Sequence, residues 1–302
     1  MELAMDILLI IINILVFLLA APFFEGVVRK ITAKVQSRKG PPVIQPYFDI
    51  FKLLGKENLN PGNWAFRFAP VMALSSILAA IAFLPFAHRA TALTGYADII
   101  TVIYLLTFGG VAVLLGALSS RNIYASIGAS REMVTMIMVE PVLAMTFILG
   151  AVRVKSLSLD MTMFHISEHG YIISVVIMLF LFLAALQAFV GRQPFDLAEA
   201  ETEIIEGPFI EYSGPNLAMF KLYMMLKQMF YAALFVGVFI PFNSGIYPVD
   251  VLMQLLEILV IYVFIALISS TNPRFRIDQA VKYYAVLIAG ALLAVGLSVY
   301  GI

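Results

Sequence analysis

The residues with the greatest chemical potential in this sequence are acids concentrated in one segment, residues 192–221, which reads RQPFDLAEAETEIIEGPFIEYSGPNLAMFK. The acidic loop within it (residues 192–213) has six acids and one base. Crowded like charges repel, and burial near lipid or protein raises the pKa of a carboxyl group. A carboxyl that gains or loses a proton near neutral pH suits a proton path. The candidate proton-path residues in the loop are therefore Glu199, Glu201, Glu203, Glu206 and Glu211.

Local patterns in the acidic loop predict a helix. Asp196, followed three residues later by Glu199, forms a capping box that predicts a helix start after Pro194. Glu199, Glu203 and Glu206 recur at i, i+4 and i+7, which places them on one face of that helix. Like charges at this spacing repel by roughly 0.2–0.5 kcal/mol in water. A second interpretation stays open, in which the segment is a solvated acidic loop or a docking face.

Four further ionisable residues lie inside apolar runs: Glu140, Lys221, Lys227 and Glu257. Ionisable side chains are costly in lipid, so they are usually paired or functional. Glu140 precedes Pro141, which lacks an N–H and predicts a kink, a plausible water-lined spot beside the carboxylate. Glu140 thus joins the candidate proton path, and we predict that it pairs with Lys227. Lys221 is expected to reach the cytoplasmic surface. For Glu257, a structural role and contact with a partner subunit both stay open.

The basic residues nearest these acids are their candidate charge partners. Two of them lie in or beside the predicted cytoplasmic loops, and two lie within a predicted span. Together they are Arg131, Arg192, Lys221 and Lys227.

The elements that must position these residues are membrane-spanning helices. The chain has 302 residues, of which 62% are hydrophobic and 13% charged, whereas soluble domains have about 25% charged residues. Apolar runs of roughly 20 residues suffice to cross the hydrocarbon core as helices, and they lack the alternation of a membrane β-barrel. We predict one all-α integral membrane domain, residues 1–302, with eight spans: Leu3–Phe24, Pro70–Ala87, Ile99–Leu118, Met133–Val152, Tyr171–Val190, Leu217–Phe242, Val249–Ser270 and Val281–Tyr300.

The distribution of basic residues predicts the orientation of these spans. One side has only Arg89, Arg153 and Lys155. Because basic loops stay in the cytoplasm, the other side is predicted to be cytoplasmic, with both termini outside. Its fourteen basic residues are Arg29, Lys30, Lys34, Arg38, Lys39, Lys52, Lys56, Arg67, Arg121, Arg131, Arg192, Arg274, Arg276 and Lys282.

The first cytoplasmic loop, predicted to run from Glu25 to Ala69, contains a further helical pattern. Its apolar residues recur at helical spacing while its charged residues fall elsewhere, which predicts an amphipathic helix on the membrane or against a partner. The apolar residues are Tyr47, Ile50, Phe51 and Leu54.

Composition also excludes several kinds of function. The chain has no cysteine, which excludes disulfides, iron–sulfur ligation and thiolate metal sites on this chain. Its net charge is zero, so nucleic acid is not an expected partner. No P-loop, dinucleotide-binding glycine pattern or metalloprotease pattern occurs. We therefore expect no cofactor on this chain and expect any redox chemistry on another subunit.

Three motifs in the same order resemble one known family. RQPFDLAEAETEIIEGPFIEYSG resembles the signature of the NuoH-type membrane subunit of NADH:quinone oxidoreductase, complex I. Gly40-Pro41-Pro42, with Gln45-Pro46 and the stretch 49–56, resembles that family's first loop. NPRFRIDQ, residues 272–279, resembles its last loop. The motifs extend over most of the chain.

Within that family, GASREMVTMIMVEP (residues 128–141), IQPYFDIFKLL (44–54) and Glu206-Gly207-Pro208 resemble the corresponding subunit of membrane-bound nickel–iron hydrogenases, of formate hydrogenlyase and archaeal energy-converting types. The complex I subunit usually has an aromatic residue after that glycine and an acid–aromatic pair further on. Here the corresponding stretch reads KLYMMLKQM, with Lys221 and Lys227. That departure argues against a quinone site.

The resemblance implies a membrane-anchoring, energy-coupling subunit of a prokaryotic cell-membrane complex. It implies peripheral hydrogenase-like partners at the cytoplasmic face, bearing iron–sulfur clusters and a nickel–iron site, and antiporter-like membrane partners. Coupling needs a bistable element that responds to the redox step, and the acidic loop is the candidate. Two alternatives stay open: a quinone- or sulfur-reducing complex on the same scaffold, and a free-standing ion transporter. The transporter alternative predicts that the purified chain moves ions without any other subunit.

Overall fold

The computed structural model describes residues 2–59, 62–87, 93, 97–240 and 244–301. Regular structure in these ranges is helical, apart from isolated bridge residues, of which Asp98 and Ser158 pair with each other. The helices are α1 Glu2–Val35, α2 Gln45–Leu54, α3 Trp64–Phe83, α4 Ile99–Ser119, α5 Ile123–Val154, α6 Leu159–Met163, α7 His165–His169, α8 Ile173–Val190, α9 Glu201–Ile204, α10 Gly214–Phe239, α11 Tyr247–Thr271 and α12 Ile277–Val299.

Eight helices are long and apolar enough to cross a membrane, which confirms the predicted all-α polytopic protein. They are α1, α3, α4, α5, α8, α10, α11 and α12. Polar residues fix several of their ends. Asn63 and Asn122 accept the backbone N–H groups of Ala65 and Tyr124, so α3 and α5 begin with satisfied donors. α8 ends at Gly191, whose φ of +67° is the left-handed conformation typical of a helix stop.

The helix α10 lies at the centre of the bundle. It packs against α1, α3, α8, α11 and the amphipathic α2, and nearly every residue from Tyr223 to Phe239 is buried. Aromatic rings fill the interior near its end, where Phe182 of α8 lies 5.9 Å from Phe235 between ring centroids. By contrast, α1 exposes an apolar stripe suited to lipid, including Leu8, Leu15 and Leu19.

The predicted amphipathic helix α2 is present, but its four predicted apolar residues lie on two different faces. Tyr47 donates a hydrogen bond to the carbonyl of Leu19 on α1, and Ile50 packs on the core. The opposite face is at least half exposed along its length and consists of Ile44, Phe48, Phe51 and Leu54. α2 therefore packs on α1 and α10 with one face and offers a second apolar face outward.

The acidic loop is not the predicted helix. Turns occupy most of residues 192–200, only Glu201–Ile204 is α-helical, and a single 3-10 turn follows at Gly207–Phe209. Ala200 and Ile205 have φ values of +28° and +65°, which interrupt a right-handed helix. Glu199, Glu203 and Glu206 consequently do not share one helical face, and the predicted capping box is wrong.

A glycine on α5 explains how this irregular loop packs. A Cβ at Gly128 would lie 2.7 Å from Cδ of Pro208 and 2.9 Å from the carbonyl oxygen of Ala198. Those separations are shorter than van der Waals contact, so the loop backbone approaches α5 only because no side chain is there. At the loop's end, Tyr212 stacks on Phe66 with ring centroids 3.9 Å apart and donates to the Phe66 carbonyl.

Candidate functional site

The charged residues form two clusters, and the first surrounds a polar cavity between the ends of α1, α8 and α10. Arg192, just after α8, donates a hydrogen bond to Glu25 of α1. Arg29 donates to Glu25 at 3.1 Å and to Asp49 of α2 at 2.9 Å. Burial lowers the pKa of Arg192, but the Glu25 carboxylate outweighs burial and raises it. The result is a network in which two cations share a buried carboxylate that is only 5% exposed.

This polar cavity has a volume of about 540 Å³. Most of its lining is charged or polar, with a minority of apolar side chains from Phe209, Phe220, Met224 and Met225. The charged lining residues are Glu25, Arg29, Arg38, Arg192, Asp196, Glu199, Glu206, Lys221 and Arg274. Such a lining favours water and ions over an apolar ligand.

Glu199 is the candidate proton-binding group of the polar cavity. Burial is the main cause that raises its pKa to about 8, and the nearby Asp196 carboxylate raises it further, against the opposing charge of Arg192. Glu132 of α5 and Glu206 also contribute in the same direction. A carboxyl with this pKa is mostly protonated at neutral pH and releases its proton when a positive charge approaches.

Arg274 ties the acidic loop to the last loop of the chain. Its guanidinium donates to Asp196 at 2.8 Å and to the hydroxyl of Thr202 at 3.1 Å. The N–H of Phe275 also donates to the carbonyl of Pro194 at 3.0 Å. Asp196 is therefore an ion-pair partner of a distant loop, which explains why it does not cap a local helix.

Other acids of the loop have less buried partners. Arg131 donates to Glu203 at 2.7 Å, and this hydrogen bond is the main cause of a lowered pKa at Glu203. Lys221 lies 4.0 Å from Glu206, with both side chains more than 40% exposed. Exposed pairs of this kind contribute about 0–1 kcal/mol.

One predicted acid, Glu211, lies apart from the polar cavity, and the side chain of another is not described. Glu211 accepts a hydrogen bond of 2.6 Å from Asn122 at the start of α5. The side chain of Glu201 lies outside the described residues. Of the five predicted loop acids, the structure thus brings Glu199 and Glu206 to the polar cavity.

The second cluster surrounds a small membrane cavity between α4, α5, α8 and α10. Lys227 lies 3.8 Å from Glu132, with side chains 19% and 24% exposed. The cavity measures about 30 Å³, and Thr135, Glu140 and Tyr231 also line it. This is room for one or two water molecules by the usual size of about 15 Å³ each. Water there has several polar partners.

The predicted Glu140–Lys227 ion pair is replaced by Glu132–Lys227. Glu140 shares the membrane cavity with Lys227 and lies within its electrostatic influence, whereas the hydroxyl of Thr107 donates to the carbonyl of Ile103 on its own helix. α5 continues as a helix through Pro141 to Val154. Sequence reasoning missed residue 132 because the predicted span began one residue later, although a helical signal existed. Glu132, Thr135, Met136, Val139 and Glu140 recur at i, i+3, i+4, i+7 and i+8 on one face.

Helix α10 separates the two cavities and contributes to both. Lys221, Met224, Met225 and Gln228 line the polar cavity, whereas Lys227 and Tyr231 line the membrane cavity. Gln228 lies 3.4 Å from Arg192 and is the sequence neighbour of Lys227. Ionisable groups therefore line two cavities beside one buried helix. No group of three or more His, Cys, Asp or Glu in the described ranges is placed to bind a metal ion.

The fold and these clusters define a polytopic helical membrane protein with a charged interior. Residues 7–299 match the family described as NADH dehydrogenase. Since the match extends over nearly all of the chain, the chain belongs to this family, as its motifs predicted.

Curated relatives narrow the class of complex. Formate hydrogenlyase subunit 4 of Escherichia coli (strain K12) is 32% identical over 91% of this chain and 92% of its own length. Hydrogenase-4 component C of the same organism is 34% identical over 86% of each chain. The NuoH-type subunit of NADH-quinone oxidoreductase from Thermomicrobium roseum is 33% identical over 96% of this chain and 93% of its own length. These relatives are membrane subunits of hydrogenase-type and complex I-like complexes.

A solved structure has the same fold. One chain of the membrane-bound sulfane sulfur reductase (MBS), an archaeal respiratory membrane complex, matches with a TM-score of 0.86 and 26% sequence identity. The match includes 96% of this chain and 99% of that chain. The scaffold is thus similar to subunits named for different electron acceptors.

Proposed function

We propose that this chain is the membrane-anchoring, energy-coupling subunit of a hydrogenase-type respiratory complex. Electron transfer in a peripheral arm would then drive the movement of protons or sodium ions through the membrane. The observation that carries the proposal is that ionisable side chains line both the polar cavity and the membrane cavity beside α10, with Glu132 acting electrostatically on Glu199. Relatives named as formate hydrogenlyase and hydrogenase-4 subunits support the class of complex.

The proposed proton path begins at Glu206 and Lys221, which line the polar cavity. Glu199 comes next because its pKa of about 8 lets it exchange a proton near neutral pH. Glu132 influences the charge state of Glu199, so the two cavities are electrostatically linked. From Glu132 and Lys227 the path continues to Glu140 across the membrane cavity.

The acidic loop is the proposed element that responds to the redox step. Ion pairs from three different parts of the chain hold it or its base in place: Arg274–Asp196, Arg131–Glu203 and Arg192–Glu25. A peripheral subunit that pulls on the loop or adds charge beside it would change the surroundings of Glu199. That change alters the pKa of Glu199 and hence its proton occupancy.

The partners follow from this arrangement. Peripheral hydrogenase-like subunits at the cytoplasmic face would bind the iron–sulfur clusters and the nickel–iron site, and antiporter-like membrane subunits would receive the ions. The polar cavity lies on the side that the basic residues predict to be cytoplasmic, since Arg29, Arg38, Arg192 and Arg274 line it. This supports an orientation with both termini outside.

The electron acceptor of the complex is a separate question. The charged lining of the polar cavity disfavours a quinone, whose ring and tail need an apolar chamber. The similarity to a chain of a sulfane sulfur reductase favours a sulfur-reducing complex as the second candidate. Metal analysis of the purified complex decides between the two candidates. A hydrogenase-type complex contains nickel, so a purified complex without nickel would contradict our proposal and favour the sulfur reductase.

The coupling role is tested by Glu199→Gln and Glu132→Gln in the assembled complex, measuring ions moved per electron pair. We expect each change to lower this ratio by about tenfold while electron transfer in the arm continues. Glu211→Gln is the matched control, since Glu211 contacts Asn122 outside both cavities. Unchanged ion movement in both variants would refute the proton path.

A further inference from the structure

Glu257 is a carboxylate deep inside the apolar helix α11. By the rise of the α-helix it lies about 15 Å from Tyr247 and about 21 Å from Thr271 along the helix axis. Its sequence neighbours are apolar, since the stretch reads LLEILV. An ionised carboxylate at this depth is costly unless another group compensates it.

Four of the other acids inside the described spans have such a group, whereas Asp278, in the first turn of α12, is exposed. Glu25 pairs with Arg192 and Arg29, and Glu132 pairs with Lys227. The remaining two are Glu140 and Asp250. Glu140 lies in the same cavity as Lys227, and Asp250 accepts hydrogen bonds from the N–H and the hydroxyl of Ser244.

Glu257 differs from these four acids. Across the described ranges, no ion pair, hydrogen bond or nearby charge reaches its side chain. Its helix packs inward against α1 and α10, through Gln254, Ile258 and Ile261. The described part of the chain therefore leaves a charge inside the membrane without compensation.

The outer surface beside Glu257 is open for another helix. Leu252, Leu256 and Val260 are 60%, 49% and 66% exposed and form the outward stripe of α11. Glu257 lies on the flank between this stripe and the buried face. A helix lying along the stripe would bring one of its side chains to the carboxylate within the membrane.

We infer that Glu257 is the contact point for a transmembrane helix of a neighbouring subunit, which presents a lysine or arginine to it. Charge complementarity selects the partner, because a cation both neutralises the carboxylate and donates hydrogen bonds to it. Relatives of this chain are subunits of multi-subunit membrane complexes, so neighbouring helices are available. The proposed contact lies outside the two cavities, so a test of this contact is independent of a test of the proton path.

Two substitutions in the complete complex test the inference. Glu257→Leu removes the charge and every hydrogen bond, and Glu257→Gln retains an amide that still hydrogen-bonds. With an affinity tag on this chain, we expect both variants to retain about tenfold less of the neighbouring membrane subunit in detergent, as expected for a broken buried charge pair. Val286→Ala, at an exposed position on α12 and not on this stripe, is the control and should retain the subunit.

The two variants also separate the possible partners. Full retention in both variants overturns the inference. Retention in Glu257→Gln with loss in Glu257→Leu means a neutral hydrogen-bonding partner and overturns the assignment of a cation. Arg89 lies outside the described residues and is a cation of the same chain. If Arg89→Gln reproduces the loss, the partner belongs to this chain and the inference is wrong.

A crosslink distinguishes a missing contact from a misfolded variant. The chain has no cysteine, so Leu256→Cys, on the exposed stripe beside Glu257, provides its single thiol while the carboxylate is kept. A photoactivatable maleimide attached there in the assembled complex should crosslink to a membrane subunit. Crosslinking to lipid alone would overturn the inference.

Discussion

The two cavities on either side of α10 compensate their charges in different ways. The polar cavity has several cations and several acids, and its most buried acid, Glu25, pairs with two of the cations. The membrane cavity has one cation, Lys227, for Glu132 and Glu140. Redundant compensation tolerates a lost charge, whereas a single buried pair does not. We therefore expect the removal of one charged side chain to destabilise the protein more at the membrane cavity than at the polar cavity.

The largest effect is expected at Lys227. Lys227→Met leaves Glu132 without its cation and should lower the stability of the purified complex by about 3 kcal/mol, measured by thermal unfolding. Lys221→Met is the matched control, because its pair with Glu206 is exposed and contributes about 0–1 kcal/mol.

A double variant sharpens this prediction. Adding Glu132→Gln to Lys227→Met removes both charges and should recover most of the lost stability. Equal losses for the Lys227 and Lys221 variants would contradict the difference between the cavities.

An intermediate effect is expected at Arg274, which joins the acidic loop to the last loop. Arg274→Gln loses its charged hydrogen bond to Asp196, a change of about 1.4 kcal/mol, so amides of residues 196–206 should exchange hydrogen about tenfold faster. Lys282→Gln, outside this loop contact, should leave their exchange unchanged. Protection that persists in Arg274→Gln would show that packing at Gly128 alone holds the loop.

The smallest effect is a difference in pH dependence between Glu199 and Glu203. The pKa of Glu199 is raised from 4.5 to about 8, so the folded protein binds a proton that the unfolded chain releases. Its stability therefore falls as pH rises from 4.5 to about 8, and Glu199→Gln should flatten this part of the Tm–pH curve.

Glu203 should behave in the opposite way, because Arg131 lowers its pKa. Its contribution is present above pH 4.5 and is lost as pH falls through the lowered pKa. Glu203→Gln should therefore lower Tm near neutral pH and have less effect in acid. Parallel Tm–pH curves for both variants would contradict the assigned environments.

The sequence predicted the spans well and the loop poorly, for different physical reasons. Twenty-residue apolar runs determine a helix in lipid because the backbone has no alternative donors or acceptors there. The acidic loop instead depends on distant partners, namely Arg274 on the last loop and Gly128 on α5. Local spacing of Glu199, Glu203 and Glu206 contains no information about either.

The same distinction separates the site residues that the sequence indicated from those that it did not. Lys227 and Glu140 were found because a charge in an apolar run is conspicuous, and Arg192 because it is the one base in an acidic loop. Glu25 and Glu132 were missed because each was taken as a loop residue beside a span. Their burial depends on the helices α1 and α5 extending beyond the predicted boundaries, to Val35 and from Ile123.

Lys227 and Gln228 face different cavities beside α10, which limits where residues can be inserted into this helix or deleted from it. Each residue turns an α-helix by about 100°. Deleting or inserting one residue between Lys221 and Lys227 would rotate the following side chains toward the wrong cavity, although their chemistry would be unchanged. This stretch should therefore accept substitutions at Met224 far more readily than any insertion or deletion.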